Sequence, residues 1–349
     1  MVPRVIVLGL FAIVVIACGD DDGTATQSPT STGVIGSPTS VASSPTATDD
    51  ATAGNWETLA PLPTPRSEVA VAAVGGLIYV VGGFEASGAP SQKVEVYDPA
   101  TDAWSEITPL PSPRHHTAAV EWEGDLLVIG GYQTGFGDPK ATVYRYDPET
   151  EEWSEGNRLN EARGGHAAIW HGGNPVVVGG ADASGRSLYS AEWMDEYEVW
   201  REFGGEMLVR RDHLAAASVV LFQGDAGFHA LYAIGGRFDV DYGRNLDANE
   251  SADEVGGWRS KSPLPTARSG IAAATVDRKI YVFGGEGPEG SFDENEVYDP
   301  QKDSWSSATP MPTARHGLGA AVVNGVIYVI GGGPTPGLSV SGANEAFHP

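Results

Sequence analysis

The sequence predicts an all-β fold of six repeated four-stranded units, closed into a ring by the two ends of the chain. Three observations predict it: a glycine pair that recurs six times, a tryptophan and an arginine that keep the same beat, and incomplete units at the two termini. The composition agrees. Among 349 residues there are 46 glycines and 24 prolines, which suits many short strands joined by tight turns.

The glycine pair stands at Gly82-Gly83, Gly130-Gly131, Gly179-Gly180, Gly235-Gly236, Gly284-Gly285 and Gly331-Gly332, at intervals of 48, 49, 56, 49 and 47 residues. Trp56, Trp104, Trp153, Trp200, Trp258 and Trp305 follow the same register, as do Arg66, Arg114, Arg163, Arg211, Arg268 and Arg315. Tryptophan to arginine is ten residues in five units and eleven in the other; arginine to the first glycine is sixteen in five and 24 in the fourth.

Within each unit the pattern reads as four strands. The first is a small-residue run such as Val69 to Val74, the second is Leu77 to Val81, the third is Val94 to Tyr97, and the fourth surrounds Trp104. Val74-Gly75-Gly76-Leu77 and Val323-Asn324-Gly325-Val326 carry the signals of tight hairpins. Asp98-Pro99, Asp147-Pro148 and Asp299-Pro300 start turns before the tryptophan strand, since Asp accepts the turn's amide hydrogen bonds and Pro presets the next φ.

The glycine pair after the second strand, the tyrosine seven residues before a tryptophan (Tyr97 and Trp104, Tyr146 and Trp153, Tyr298 and Trp305) and the period near fifty resemble the Kelch repeat, from Asn55 to Pro349. The resemblance implies a six-bladed β-propeller. Units three and four depart from it, with Trp193 and Ser251 seven residues before their tryptophans. Trp56 has no strands before it, and Phe347-His348-Pro349 ends where the last unit still needs its tryptophan strand. The strand near Trp56 is therefore expected to close the last blade, removing two exposed sheet edges.

Ahead of the propeller, expected over 54–349, Arg4 precedes an apolar run from Val5 to Ala17 that is short for a bilayer span but suits a signal peptide. Val15-Ile16-Ala17-Cys18 resembles a bacterial lipobox, which implies cleavage after residue 17 and acylation of Cys18. Residues 18–53, mostly Ser, Thr, Pro, Ala and Gly, read as a disordered stalk, open to O-glycosylation. As a flexible coil it would hold the body about 30–35 Å from the membrane. The expected location is extracytoplasmic, at the membrane surface.

The formal net charge of −25 and the lack of a basic stripe argue against nucleic-acid binding. With one cysteine there is no internal disulfide and no multi-cysteine metal site. Galactose-oxidase-like Kelch enzymes need a cysteine crosslinked to a tyrosine beside copper, and Cys18 is already spoken for. No serine elbow or phosphate loop occurs. No cofactor and no metal are expected.

The six arginines and tryptophans recur in every unit and are read as structural. Non-repeating residues just after the arginines are more informative: Glu68, His115, His116, Asp212, His213 and His316. In a propeller the loops entering the inner strands share a face with those following each glycine pair, and ligands of Kelch-like propellers commonly bind there. The fourth unit adds Arg237, Asp239 and Arg244 on that face, a composition suited to a sugar or an anionic group. Its first hairpin is lengthened by roughly eight residues and should lie on the opposite face, as a possible partner contact. The leading expectation is a monomeric, membrane-tethered binding module that recognises a protein, peptide or glycan through the loop face. The alternative is a sugar epimerase or mutarotase resembling N-acetylneuraminate epimerases, with Arg237, Asp239 and Arg244 as its candidates.

Overall fold

The computed structural model describes residues 54–349 apart from 224, 225 and 254–256. The signal peptide, Cys18 and the stalk lie outside the described residues. Six four-stranded antiparallel sheets form the blades. Blade 1 runs Ala70–Val74, Leu77–Val81, Val94–Asp98 and Ala103–Glu106 from axis to rim, and the other blades repeat this order. The six first strands neighbour one another in a closed cycle, the last of them, Gly319–Val323, lying against Ala70–Val74. They are rich in alanine because six strands converge there, and every second residue of Ala70–Val74 is buried. Second strands such as Leu77–Val81 are covered on both sides and read as continuous apolar runs.

Closure is made by Asn55–Thr58, which pairs with Asn344–His348 and sets Trp56 opposite Phe347. Hydrophobic clusters sit between blades, one at each of the six junctions; the one across the closure joins Ile78, Val80 and Tyr97 to Ala321, Tyr328 and Ile330. The tryptophans bind these junctions too. Trp104 Nε1 donates to Ala60 O at 2.8 Å, Trp153 to Thr108 O, Trp200 to Asn157 O and Trp305 to Ser262 O at 2.9 Å, each in the linker entering its own blade. Trp56 Nε1 donates to Thr309 O at 2.9 Å and so completes blade 6 with residues from the far end of the chain.

The repeated arginines are clamps inside the blades. Arg66 donates to the carbonyls of Gly82 (2.6 Å) and Lys93 (3.0 Å) and to Glu95 (2.6 Å), with its side chain fully buried. Arg163–Glu192, Arg211–Glu250, Arg268–Glu296 and Arg315–Glu345 repeat the ion pair. In blade 2 Tyr144 stands where the others have glutamate, 3.3 Å from Arg114. Arginine thus ties the loop after the glycine pair to the loop entering the blade. It satisfies carbonyls that the left-handed glycines leave outside the strand ladder.

One expectation is corrected. Counting back seven from the tryptophan placed Trp193 and Ser251 in the tyrosine position, but Met194 pairs with Trp200, and Leu231 faces Ala252 as Ile78 faces Tyr97. Met194 and Ala252 therefore hold that position. The spacing to the tryptophan is six residues in these two blades, whereas the clamp glutamate, two residues before the tyrosine, keeps its place.

Candidate functional site

Each loop entering a blade pairs with the loop after a glycine pair, as Ser67 does with Phe84 and Asp212 with Arg237. Both loop sets therefore occupy one face, as expected. The lengthened hairpin, Ala215–Gln223 with Ala226–Ile234, has nine residues per strand and turns back on the other face. There the channel widens into a cavity of about 550 Å³ whose lining includes Trp170, Ser218 and His229.

Two residues after each arginine the backbone enters the left-handed region, at Glu68 (φ 54°), His116 (51°), Gly165 (63°), His213 (52°), Gly270 (65°) and Gly317 (58°). Each of these six amides donates to the carbonyl of its counterpart in the preceding blade. The distances are 2.7 Å for Glu68 to Gly317, 3.1 Å for His116 to Glu68 and 2.9 Å for Gly165 to His116; His213 to Gly165 is 2.6 Å, Gly270 to His213 2.9 Å and Gly317 to Gly270 2.8 Å. The result is a cyclic collar of six hydrogen bonds at the loop-face end of the channel. Glycine is the unstrained choice here, because a side chain in this conformation costs about 1 kcal/mol. Three blades nevertheless carry Glu68, His116 and His213.

Those three side chains converge. His116 Nε2 lies 3.2 Å from Glu68 Oε2, and the two imidazole rings meet edge to face at 4.7 Å. The glycine blades leave the room: a Cβ on Gly165 would fall 2.9 Å from the His213 ring, and one on Gly317 would fall 2.5 Å from Glu68 Oε1. His213 Nδ1 is 2.6 Å from Asp212 Oδ1, which fixes Nδ1 as the protonated nitrogen; Nε2 is buried without a hydrogen-bond partner. His116 Nδ1 is 2.7 Å from His115 Nδ1, whose ring stacks on Phe84 at 4.1 Å between centroids. Burial, reinforced by His213 and His115, pushes the His116 imidazolium well below the ordinary histidine range, and burial lowers His115 to about 4.

Charged partners surround this floor. Arg237 donates to Glu286 at 2.6 Å and reaches Asp212 at 3.4 Å, and Ser187 Oγ donates to Asp212 at 2.5 Å. Burial opposes ionisation of Asp212 and Glu286, yet both stay below their ordinary values: His213, Ser187 and Arg237 hold Asp212 down, and His316 with Arg237 holds Glu286. His316 directs Nδ1 at Gly333 O (3.0 Å) and Nε2 at Gly337 O (2.9 Å), with Glu68 and Glu286 each 3.6 Å from Nε2. Farther out, Asp239 takes both Arg210 and Arg244, the first of which brings its carboxyl down to about 2.

Of the nine candidates, Glu68, His116 and His213 meet at the axis, while His115, Asp212, Arg237 and His316 form the buried layer against them. Asp239 and Arg244 lie on the blade 4 loop and pair with each other, and Asp239 is joined to the floor through Ser187, which donates its amide to Asp239 and its hydroxyl to Asp212. Sequence reasoning missed Glu286, Ser187 and Arg210. Glu286 had a signal: it directly follows Gly284-Gly285, as Arg237 follows Gly235-Gly236 and Tyr132 follows Gly130-Gly131, so that one position carries a different side chain in each blade.

Comparison with known proteins agrees with this architecture. The family model described as "KLHDC2/KLHL20/DRC7 Kelch-repeats domain" matches residues 45–191, and the "Kelch motif" model matches 267–312. Beta-scruin of Limulus polyphemus is 30% identical over 109 residues, a match spanning 29% of this chain and 11% of beta-scruin. The solved structure of YjhT superposes with a TM-score of 0.67 over 82% of this chain and 96% of that one, at 17% identity, a likeness of fold alone. Six Arg-clamped blades, five of them stapled by a tryptophan hydrogen bond, and two matched repeat models lead to one assignment: the chain belongs to the Kelch-repeat β-propeller family.

Proposed function

We propose that the protein is a membrane-tethered, extracytoplasmic binding module that recognises a protein, peptide or glycan through its loop face. The observation that carries this reading is the contrast between floor and rim on that face. The acids and bases of the floor are tied to one another in a buried network, while Phe136, Tyr242 and Leu338 stand 40–62% exposed on separate loops of the rim. Arg244 joins them with its guanidinium over the Phe238 ring. Aromatic groups beside a half-exposed guanidinium, here held by Asp239, suit carbohydrate rings and peptide side chains alike. Tethering rests on Val15 to Cys18 and on the Ser/Thr/Pro-rich stretch that follows.

An epimerase would need an acid and a base free to exchange protons with substrate. Of the candidates for that role, Arg237 and Asp239 are each engaged by two partners of opposite charge and Arg244 by Asp239. The test is a glycan and peptide array probed with the full chain in detergent, repeated with Phe136→Ala and Tyr242→Ala. The expected result is a set of hits weakened about 10- to 100-fold by both substitutions, with the melting temperature unchanged in Tyr242→Ala and slightly lowered in Phe136→Ala, whose ring packs on His116 and Tyr132. Hits unaffected by either substitution would overturn the loop-face reading.

A further inference from the structure

We infer that Glu68, His116 and His213 form a binding site for a divalent transition-metal ion of the zinc class at the loop-face end of the channel. One ligand atom from each residue lies within 4.8 Å of the others, and the 3.2 Å between His116 Nε2 and Glu68 Oε2 already matches the roughly 3.3 Å edge of a tetrahedral zinc shell. Two imidazoles and a carboxylate suit zinc and its first-row neighbours better than calcium or magnesium, which prefer oxygen throughout.

Three further observations point the same way. His213 Nε2 is a buried acceptor with no partner, on a side chain 1% exposed. Its other nitrogen is held by Asp212, the carboxylate–histidine arrangement that orients metal-binding imidazoles and raises their basicity. The three residues occupy left-handed backbone positions where the other three blades use glycine, so the fold bears strain to place these side chains together.

The neighbouring set of Glu68, Glu286 and His316 is not equivalent. Both His316 nitrogens face carbonyls, which leaves no lone pair for an ion. The pocket beside the collar, about 80 Å³, has space for the ion and one or two waters. An ion there would keep positions open toward the loop face, where an oxygen of a bound ligand could enter. The inference goes beyond the binding reading above and does not depend on it.

The test uses the untagged full chain in detergent, stripped with chelator, titrated with Zn²⁺ by calorimetry and with Co²⁺ by visible absorption. The expected result is one ion per chain, a Co²⁺ ligand-field band, and a higher melting temperature with Zn²⁺. Affinity should fall more than ~100-fold in His116→Gly and His213→Gly, which adopt the residue the other three blades already use, and in the nearly isosteric Glu68→Gln. Asp212→Asn should weaken it by about 10- to 100-fold. No binding by the unaltered chain, or binding that survives these substitutions, would overturn the inference.

Discussion

Two positions only two residues apart behave in opposite ways around this ring. The arginine is the same in all six blades and fully buried, and in five of them it pairs with a glutamate of its own blade, Tyr144 taking that place in the second. The residue two places later shares one backbone conformation in all six, yet is glycine in three blades and glutamate or histidine in three. Uniformity therefore marks what every blade needs in order to fold. Departure from uniformity, at a position where glycine would be easier, marks what the molecule needs at its axis.

The largest effects should come from breaking the uniform set. Arg163→Ala strands Glu192 in the blade interior and should cost about 3–5 kcal/mol in urea denaturation. Arg114→Ala leaves a tyrosine hydroxyl rather than a carboxylate behind and should cost only about 1–3 kcal/mol. Equal losses at the two sites would show that the clamp acts through packing and carbonyl capping alone.

Next in size is the closure. Trp56→Ala removes the ring packed on Phe347 at 4.9 Å and the bond to Thr309, and should cost about 3 kcal/mol, read as a shift in urea midpoint. If closure matters, amide exchange should rise first in Asn344–His348. A smaller effect of opposite sign is expected at the axis. His116→Gly in chelator should change stability by no more than about 1 kcal/mol, because relief of the left-handed backbone offsets the lost contacts.

The smallest effect concerns the outer loop. Asp239 is depressed to about 2 in the folded chain, chiefly by its hydrogen bond from Arg210, against an unfolded value near 3.8. A depressed carboxyl adds stability that is complete above pH ~4 and is lost as pH falls through 2. Asp239→Asn should therefore lower the melting temperature slightly at pH 7, where the ion pair is intact, with the gap to the unaltered chain closing as pH falls from ~4 through 2.

The blades were legible because their markers are local and repeated: strands, hairpins, turns and closure all follow from period and turn chemistry. Blades 3 and 4 misled at one position. Counting from the tryptophan crosses a turn whose length varies, and the arginine is no steadier a ruler, since its clamp glutamate follows 28 residues later in blade 5 and 39 later in blade 4; only the pairing of the strands fixes the position. The site was legible as a list but not as a place. Glu68, His116 and His213 come from three blades, with no sequence spacing to fix their separation, and only ring closure brings them together. Glu286 was hidden for a similar reason, since its partner Arg237 lies one blade away.

The account rests on the claim that the axis residues were selected for binding and the clamps for folding. The most direct measurement is the urea midpoint of the Glu68→Gly, His116→Gly and His213→Gly triple variant beside the unaltered chain, each with chelator and with Zn²⁺. The account predicts equal or higher stability for the variant in chelator and a Zn²⁺-induced rise confined to the unaltered chain. A variant that loses several kcal/mol in chelator, on the scale of the clamp arginines, would contradict it.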